Sequence, residues 1–289
     1  MEHLTLPAYS QGAFSLRHGL PLISTKLGPP RAAGTLLSRS RLLEKLDLLH
    51  ERSLALVCGA AGFGKTTLLS QWRQCLLDQG HSVAWLSLDE QDDSPEYFRR
   101  YLLAALRSAD PALADLTGDL QPSAQGFMRA LINQLNLRQQ PLYWVLDDVH
   151  LVRHQLIEQD LLELVLHAPA CLHLLIGSRN AAQLPLSRLR ARNQLVEIDA
   201  NALRFNLDEA AGYFSRTTDL KLDTADLQRL LSLTEGWITG IQMASLAPPT
   251  GSDPVRRWAH LERGSRVIGG YLQDVVLEPL PPRVQSFLL

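Results

Sequence analysis

The run Gly59-Ala60-Ala61-Gly62-Phe63-Gly64-Lys65-Thr66 fits the spacing G-x-x-x-x-G-K-[ST]. Glycines at these positions let a backbone curl so that successive N–H groups point into one concavity, and a helix starting there adds its positive end. That combination suits a phosphate. Lys65 is one of four lysines in the chain, with Lys26, Lys45 and Lys221, and its ammonium can neutralise β- and γ-phosphate oxygens. The Thr66 hydroxyl can ligate Mg2+. The competing reading is an ordinary glycine-rich turn between a strand and a helix.

A phosphate cradle that does chemistry needs carboxylates to hold the metal and to activate water. LYWVLDDVH offers them: an apolar run, Leu142 to Leu146, ends in Asp147-Asp148, which places two carboxylates at the carboxyl edge of a buried strand. In this reading Asp147 contacts Mg2+ through water and Asp148 is the base for the attacking water. The alternative is that the pair caps the next helix. Arg179 follows another apolar run, HLLIGS, so it too should emerge at that edge, either sensing a γ-phosphate or solvated like Arg188, Arg190 and Arg192. Asp89, Glu90, Asp92 and Asp93 read as helix-start carboxylates ahead of Ser94-Pro95, the other reading being that one of them completes the water-activating site, and His150 reads as a polar loop residue rather than a ligand. No His/Cys set has metal-ligand spacing and no G-x-S-x-G elbow is present.

These residues have to be positioned by strands. Short apolar runs at 53–58, 82–88, 142–148, 171–178 and 194–199 suit strands buried on both faces. Helical spacing lies between them, at 66–78, after Ser94-Pro95-Glu96 and at roughly 124–137. Ser38-Arg39-Ser40 leads into RLLEKLDLLHE, with Leu42, Leu43, Leu46 and Leu49 on one face, and predicts an N-capped amphipathic helix. The fold class is α/β: a five-stranded, mainly parallel sheet flanked by helices. From residue 201 the pattern is wholly helical, at 207–216, 224–234, 237–247 and 264–277. The predicted organisation is an N-terminal arm over 1–30, a nucleotide-binding domain over 31–200, a helical domain over 201–278, and the start of a further domain over 279–289.

Composition bounds what such a chain does. Its 289 residues are 46% hydrophobic and 20% charged, with 28 basic against 30 acidic side chains. The near-neutral balance gives no field to draw in nucleic acid or an anionic membrane. Cys58, Cys75 and Cys171 are odd in number and widely spaced, which fits a reducing cytoplasm better than a disulfide framework. The first thirty residues lack an export signal's apolar stretch, and no run is long enough to span a membrane.

In this order the motifs resemble the nucleotide-binding module of the MalT-like, large ATP-dependent LuxR-family regulators, a group of the signal transduction ATPases with numerous domains (STAND). The resemblance covers residues 22–289 and rests on LISTKLGPP, LLSRSRLLEKL, GAAGFGKTTLLSQW, VAWLSLDEQDDSPEYFRRYLLAAL, YWVLDDVHLV, LLIGSRN, LRARNQLVEI and TEGWITGIQMASLA. It implies ADP holding a closed resting form, exchange for ATP allowing self-association, and slow ATP hydrolysis resetting the switch. The implied nucleotide-binding set is Gly59, Ala61, Gly62, Phe63, Gly64, Lys65, Thr66 and Thr67, with Leu37 and Arg39 approaching adenine; Thr66 and Asp147 hold Mg2+, Asp148 is the Walker B base, and Arg179 is the sensor. Trp237 belongs to a segment where the family has Gly-x-Pro closing over the nucleotide; here Gly236-Trp237-Ile238 puts isoleucine in place of proline. Plain core packing is the other reading of Trp237. The family's inducer-binding and DNA-binding domains lie further on, so those partners would belong to other parts of a longer parent protein. Two other functions compete: an ADP-holding interaction scaffold without hydrolysis, and a small-molecule phosphotransferase on the same architecture.

Overall fold

The computed structural model describes residues 21–31, 36–180, 184–217 and 222–246. The expected helix at 264–277 and the segment 279–289 lie outside the described residues, as do the first twenty residues of the arm.

The apolar runs form β1 (Leu54–Cys58), β2 (Ser82–Ser87), β3 (Leu142–Asp147), β4 (Leu172–Ser178) and β5 (Leu195–Ile198). They make one sheet in the order β2-β3-β4-β1-β5, with every neighbouring pair parallel. Register pairs Leu54 with Leu174 on one side and Leu195 on the other, and Val145 with Leu175. Parallel neighbours need crossovers, and helices supply them.

Because side chains alternate along a strand, each strand splits between two cores. Leu54, Leu56, Ala84, Leu86, Trp144, Leu146, Leu174 and Ile176 face α3 (Pro95–Ala109), α5 (Phe127–Leu135) and α6 (Gln155–Leu166), meeting Phe98, Leu102, Leu131 and Leu164. Ala55, Val57, Val83, Trp85, Val145, Leu175 and Ile198 face α1 (Ser40–Asp47) and α2 (Lys65–Asp78), meeting Leu42, Leu46, Leu68 and Trp72. A short α4 (Pro111–Leu116), capped by Asp110 through Ala112 N–H, had no counterpart in the sequence reading. After α7 (Leu186–Ala191), β5 and α8 (Ala200–Leu203), three helices form a separate core: α9 (Leu207–Thr217), α10 (Thr224–Thr234) and α11 (Ile238–Leu246). Phe205, Phe214, Leu227, Leu230 and Ile241 fill it, and Leu37 packs against it.

Two helix starts differ from expectation. Arg39 is the residue before α1, with no side-chain capping bond, so Ser38 does not cap this helix. Ser94 precedes α3 and Pro95 occupies its first turn, yet the Ser94 hydroxyl makes no capping bond. The acidic cluster does its capping one turn earlier, where Asp89 and Asp92 form a reciprocal box around the turn Glu90–Asp92. Its larger role is to receive Lys26, whose ammonium lies 2.6 Å from Asp89 and 2.8 Å from Asp92 and over the Tyr101 ring. Burial alone would lower the Lys26 pKa, but the two carboxylates prevail and hold it above its ordinary value.

Candidate functional site

The carboxyl ends of β1, β3 and β4 meet at one edge of the sheet, where open α/β sheets place their ligands. From β1 the chain enters the glycine-rich loop. Gly62 and Gly64 take positive φ, 76° and 77°, and Gly59 is anchored by its N–H to the Ser178 carbonyl at 3.2 Å. The loop runs into α2, so the first-turn N–H groups and the positive end of that helix stand behind it. Lys65 is buried and donates to the Ala60 carbonyl at 3.1 Å. Burial pulls its pKa down, while Asp148 and Asp147 act against that. Phe63 packs on the cluster of α1 and α2, and Thr67 is exposed on α2.

Asp147 ends β3 with its side chain buried. Its pKa is raised to about 6, first by burial and then by the neighbouring Asp148, while hydrogen bonds from the Thr66 hydroxyl and the Asp148 N–H pull it back. Asp148 leaves the strand with φ 57°, an uncommon conformation for a non-glycine residue that aspartate tolerates. Its side chain is partly exposed, whereas that of Asp147 is buried. Arg179 emerges exposed beyond β4, close enough in charge to bear on both Lys65 and His150. The structure therefore brings together Lys65, Thr66, Asp147, Asp148 and Arg179, five residues from three elements far apart in sequence.

It also brings in His150, a polar loop residue by its sequence context. The imidazole side chain is 7% exposed, with Nδ1 3.8 Å from Asp148 Oδ1 and no hydrogen-bond partner at either ring nitrogen. Burial pushes its pKa down to about 4; Asp148 opposes this, and Arg179 and Lys65 reinforce it. Its position two residues after Asp148, on a turn of Val149–Leu151, was the available signal.

The helical region lies directly on the loop. Trp237 donates its indole N–H to the Ala61 carbonyl at 3.1 Å, and the Thr239 hydroxyl donates to the Gly62 carbonyl at 2.9 Å. Trp237 is thus neither plain core nor remote from the site. Leu37 and Arg39 also join this region. Leu37 accepts from Gln71 at 2.7 Å, and the Arg39 guanidinium bonds Glu209 and the Leu203 carbonyl while stacking on Phe205.

The donor set suits Mg2+ bound with a phosphate. The Thr66 hydroxyl and a buried carboxylate that resists ionisation share one place, and a cation there would relieve the cost of charging Asp147. Among the described residues no group of three or more His, Cys, Asp or Glu could hold a metal by itself.

Loop, paired carboxylates and strand order together define a P-loop NTPase fold. A family model described as an AAA domain matches residues 48–184. The chain is 34% identical over 274 residues to serine/threonine-protein kinase PknK of Mycobacterium tuberculosis, a match covering 93% of this chain and 25% of that protein. It is also 34% identical over 275 residues to the HTH-type transcriptional regulator MalT of Klebsiella pneumoniae, covering 93% of this chain and 30% of the relative. A STAND protein with a tetratricopeptide repeat sensor from Pyrococcus horikoshii shares the fold at a TM-score of 0.55 and 14% identity, over 82% of this chain and 33% of that one. The chain carries a P-loop NTPase domain that is similar over 93% of its length to segments of PknK and MalT, and it spans about a quarter to a third of the length of these curated relatives. No helix among the described residues is long and apolar enough to cross a membrane.

Proposed function

We propose that this chain is an ATP/ADP-binding switch module with slow hydrolysis, which controls the self-association of a larger regulator. The observation that carries this reading is the convergence of Lys65, Thr66, Asp147, Asp148 and Arg179 beside the start of α2. Loop N–H groups and Lys65 take the phosphates. Thr66 and Asp147 hold Mg2+, which when bound screens phosphate charge. Asp148, half-exposed and poised at the edge, accepts a proton from a water as that oxygen bonds the γ-phosphorus and the bond to the β-phosphate oxygen breaks. Arg179 then distinguishes triphosphate from diphosphate.

Two relatives named for different activities, a protein kinase and a transcriptional regulator, each match 93% of this chain. What they share with it is the nucleotide module, so neither kinase chemistry nor DNA binding is assigned to these residues. Inducer and DNA would be bound by other parts of a longer parent protein, and the ATP form is the one that self-associates. The test is to denature the purified chain, separate the released small molecules by ion exchange, and repeat with Lys65→Ala. Near-stoichiometric ADP from wild type alone is expected; a wild type that carries none and fails to bind added ATP overturns the reading.

A further inference from the structure

The motif that defines the loop requires glycine at positions 59 and 64 but leaves position 62 free. Gly62 has φ 76°, and a Cβ there would lie 2.5 Å from Thr239 Oγ1 and 2.7 Å from Trp237 Nε1. The space over position 62 is therefore taken by the helical region, not merely by the loop's own turn. Three donors reach this short stretch: Trp237 Nε1 to the Ala61 carbonyl at 3.1 Å, Thr239 Oγ1 to the Gly62 carbonyl at 2.9 Å, and the Thr239 N–H to the same carbonyl at 3.3 Å. Gly240, in the helix that follows, leaves room for the Trp237 indole: a Cβ at 240 would be 2.8 Å from Trp237 Cε3.

A trans peptide is planar, so its C=O and N–H point in opposite directions. No cis peptide occurs among the described residues. Drawing the Ala61 and Gly62 carbonyls toward the helical region therefore fixes the Gly62 and Phe63 N–H groups to face the other way, and accepting a hydrogen bond polarises each peptide further. Those two N–H groups belong to the cradle that takes phosphate.

We propose that Trp237 and Thr239 form a clasp on the carbonyl side of the phosphate loop, orienting the Gly62 and Phe63 N–H groups and slowing the departure of a bound nucleoside diphosphate. The clasp rests on the reading of the loop as a nucleotide site. Its members are positioning residues that act through the loop backbone, and they make the seating of the helical region and the retention of the diphosphate one event.

The experiment is stopped-flow dissociation of N-methylanthraniloyl-ADP from the 289-residue chain and from Trp237→Phe, Thr239→Val, Thr239→Ser and the Trp237→Phe/Thr239→Val pair. Each loss of a donor should speed dissociation about two- to tenfold, with the pair multiplying the effects. Thr239→Ser, which keeps the hydroxyl, should release at the wild-type rate. A wild type that does not bind the probe overturns both the nucleotide site and the clasp. A wild type that binds, with the pair releasing at an unchanged rate or with Thr239→Ser indistinguishable from Thr239→Val, overturns the clasp alone. Hydrogen exchange of the nucleotide-free chain gives a separate readout: peptides over 59–66 should exchange faster in the pair while peptides over β3 and β4 stay protected. Equal protection of the loop in both proteins would count against the clasp.

Discussion

The backbone N–H of Asp148 donates to Oδ1 of Asp147 at 3.0 Å, so the second residue of the acidic pair helps to hold the first. Beyond that N–H, Asp148 itself leaves β3 in the left-handed region, with φ 57°. Two adjacent and chemically identical groups acquire different environments, one sealed under the sheet edge and one open to water. Giving paired carboxylates different surroundings is how a site assigns them different tasks.

The buried member sets a pH dependence for metal binding. Asp147 ionises at about 6 in the fold, above its ordinary 3.8, so its metal-binding form predominates only above pH 6. Mg2+ affinity of the nucleotide-bound chain should be level at pH 7 to 8 and fall about tenfold per unit below pH 6, with proton uptake by Asp147 displacing the ion. Asp147→Asn should abolish that slope. Calorimetric titration of Mg2+ at several pH values checks both statements; a slope retained in the variant would assign the ionisation to another group.

The exposed member separates a switch from a scaffold. Asp148→Asn keeps the side chain's shape and removes its capacity to take a proton. Hydrolysis should drop at least a hundredfold, in keeping with the loss of a general base, while ATP affinity changes less than threefold. Single-turnover phosphate release measures the first and equilibrium binding the second. An ATPase rate that is negligible in wild type and unchanged in the variant favours the ADP-holding scaffold.

The strands were legible because each is a short run buried on both faces, and the sheet places every run within about a residue of its expected ends. Lys65, Thr66, Asp147 and Asp148 were legible because local spacing declares them. What the sequence concealed is contact between segments. Lys26 pairs with Asp92, 66 positions away, and no local pattern links a lysine before a Gly-Pro-Pro break to an acidic cluster in another unit. Arg39 occupies the place where a serine cap was expected, and its guanidinium reaches Glu209, 170 positions on. Trp237 looks like core by its size, and only its indole N–H, directed to the Ala61 carbonyl, shows its bearing on the loop.

His150 makes the site edge acid-sensitive. Its pKa is pushed from 6.5 down to about 4 by burial, so the folded chain favours the neutral ring. The sign follows: the associated stability is fully present above pH 6.5 and is lost as pH falls toward 4. His150→Leu cannot suffer that loss. Wild type should therefore lose melting temperature relative to the variant between pH 7 and pH 4.5, and calorimetry at those two values would show it. Parallel behaviour of the two proteins would mean that the ring is solvated.

The Arg39–Glu209 pair should decide whether the helical region stays joined to the segment before the phosphate loop. Both side chains are about nine-tenths buried, and Glu209 also receives Arg41 at 3.1 Å and the Asn206 N–H at 3.1 Å. Burial would raise the Glu209 pKa, yet Arg39 and these further donors hold it below the usual carboxylate range. Arg39→Met removes the guanidinium's bonds to Glu209 and to the Leu203 and Arg204 carbonyls, together with its stacking on Phe205. Leaving a buried carboxylate short of its main partner costs about 3–5 kcal/mol, equivalent to a melting temperature lower by roughly 10 °C for a chain of this size. Glu209→Gln alone should cost less, and the double variant should be more stable than Arg39→Met because the uncompensated charge is gone. Urea unfolding of the four proteins measures the coupling, and additive losses would show that the two side chains do not depend on each other.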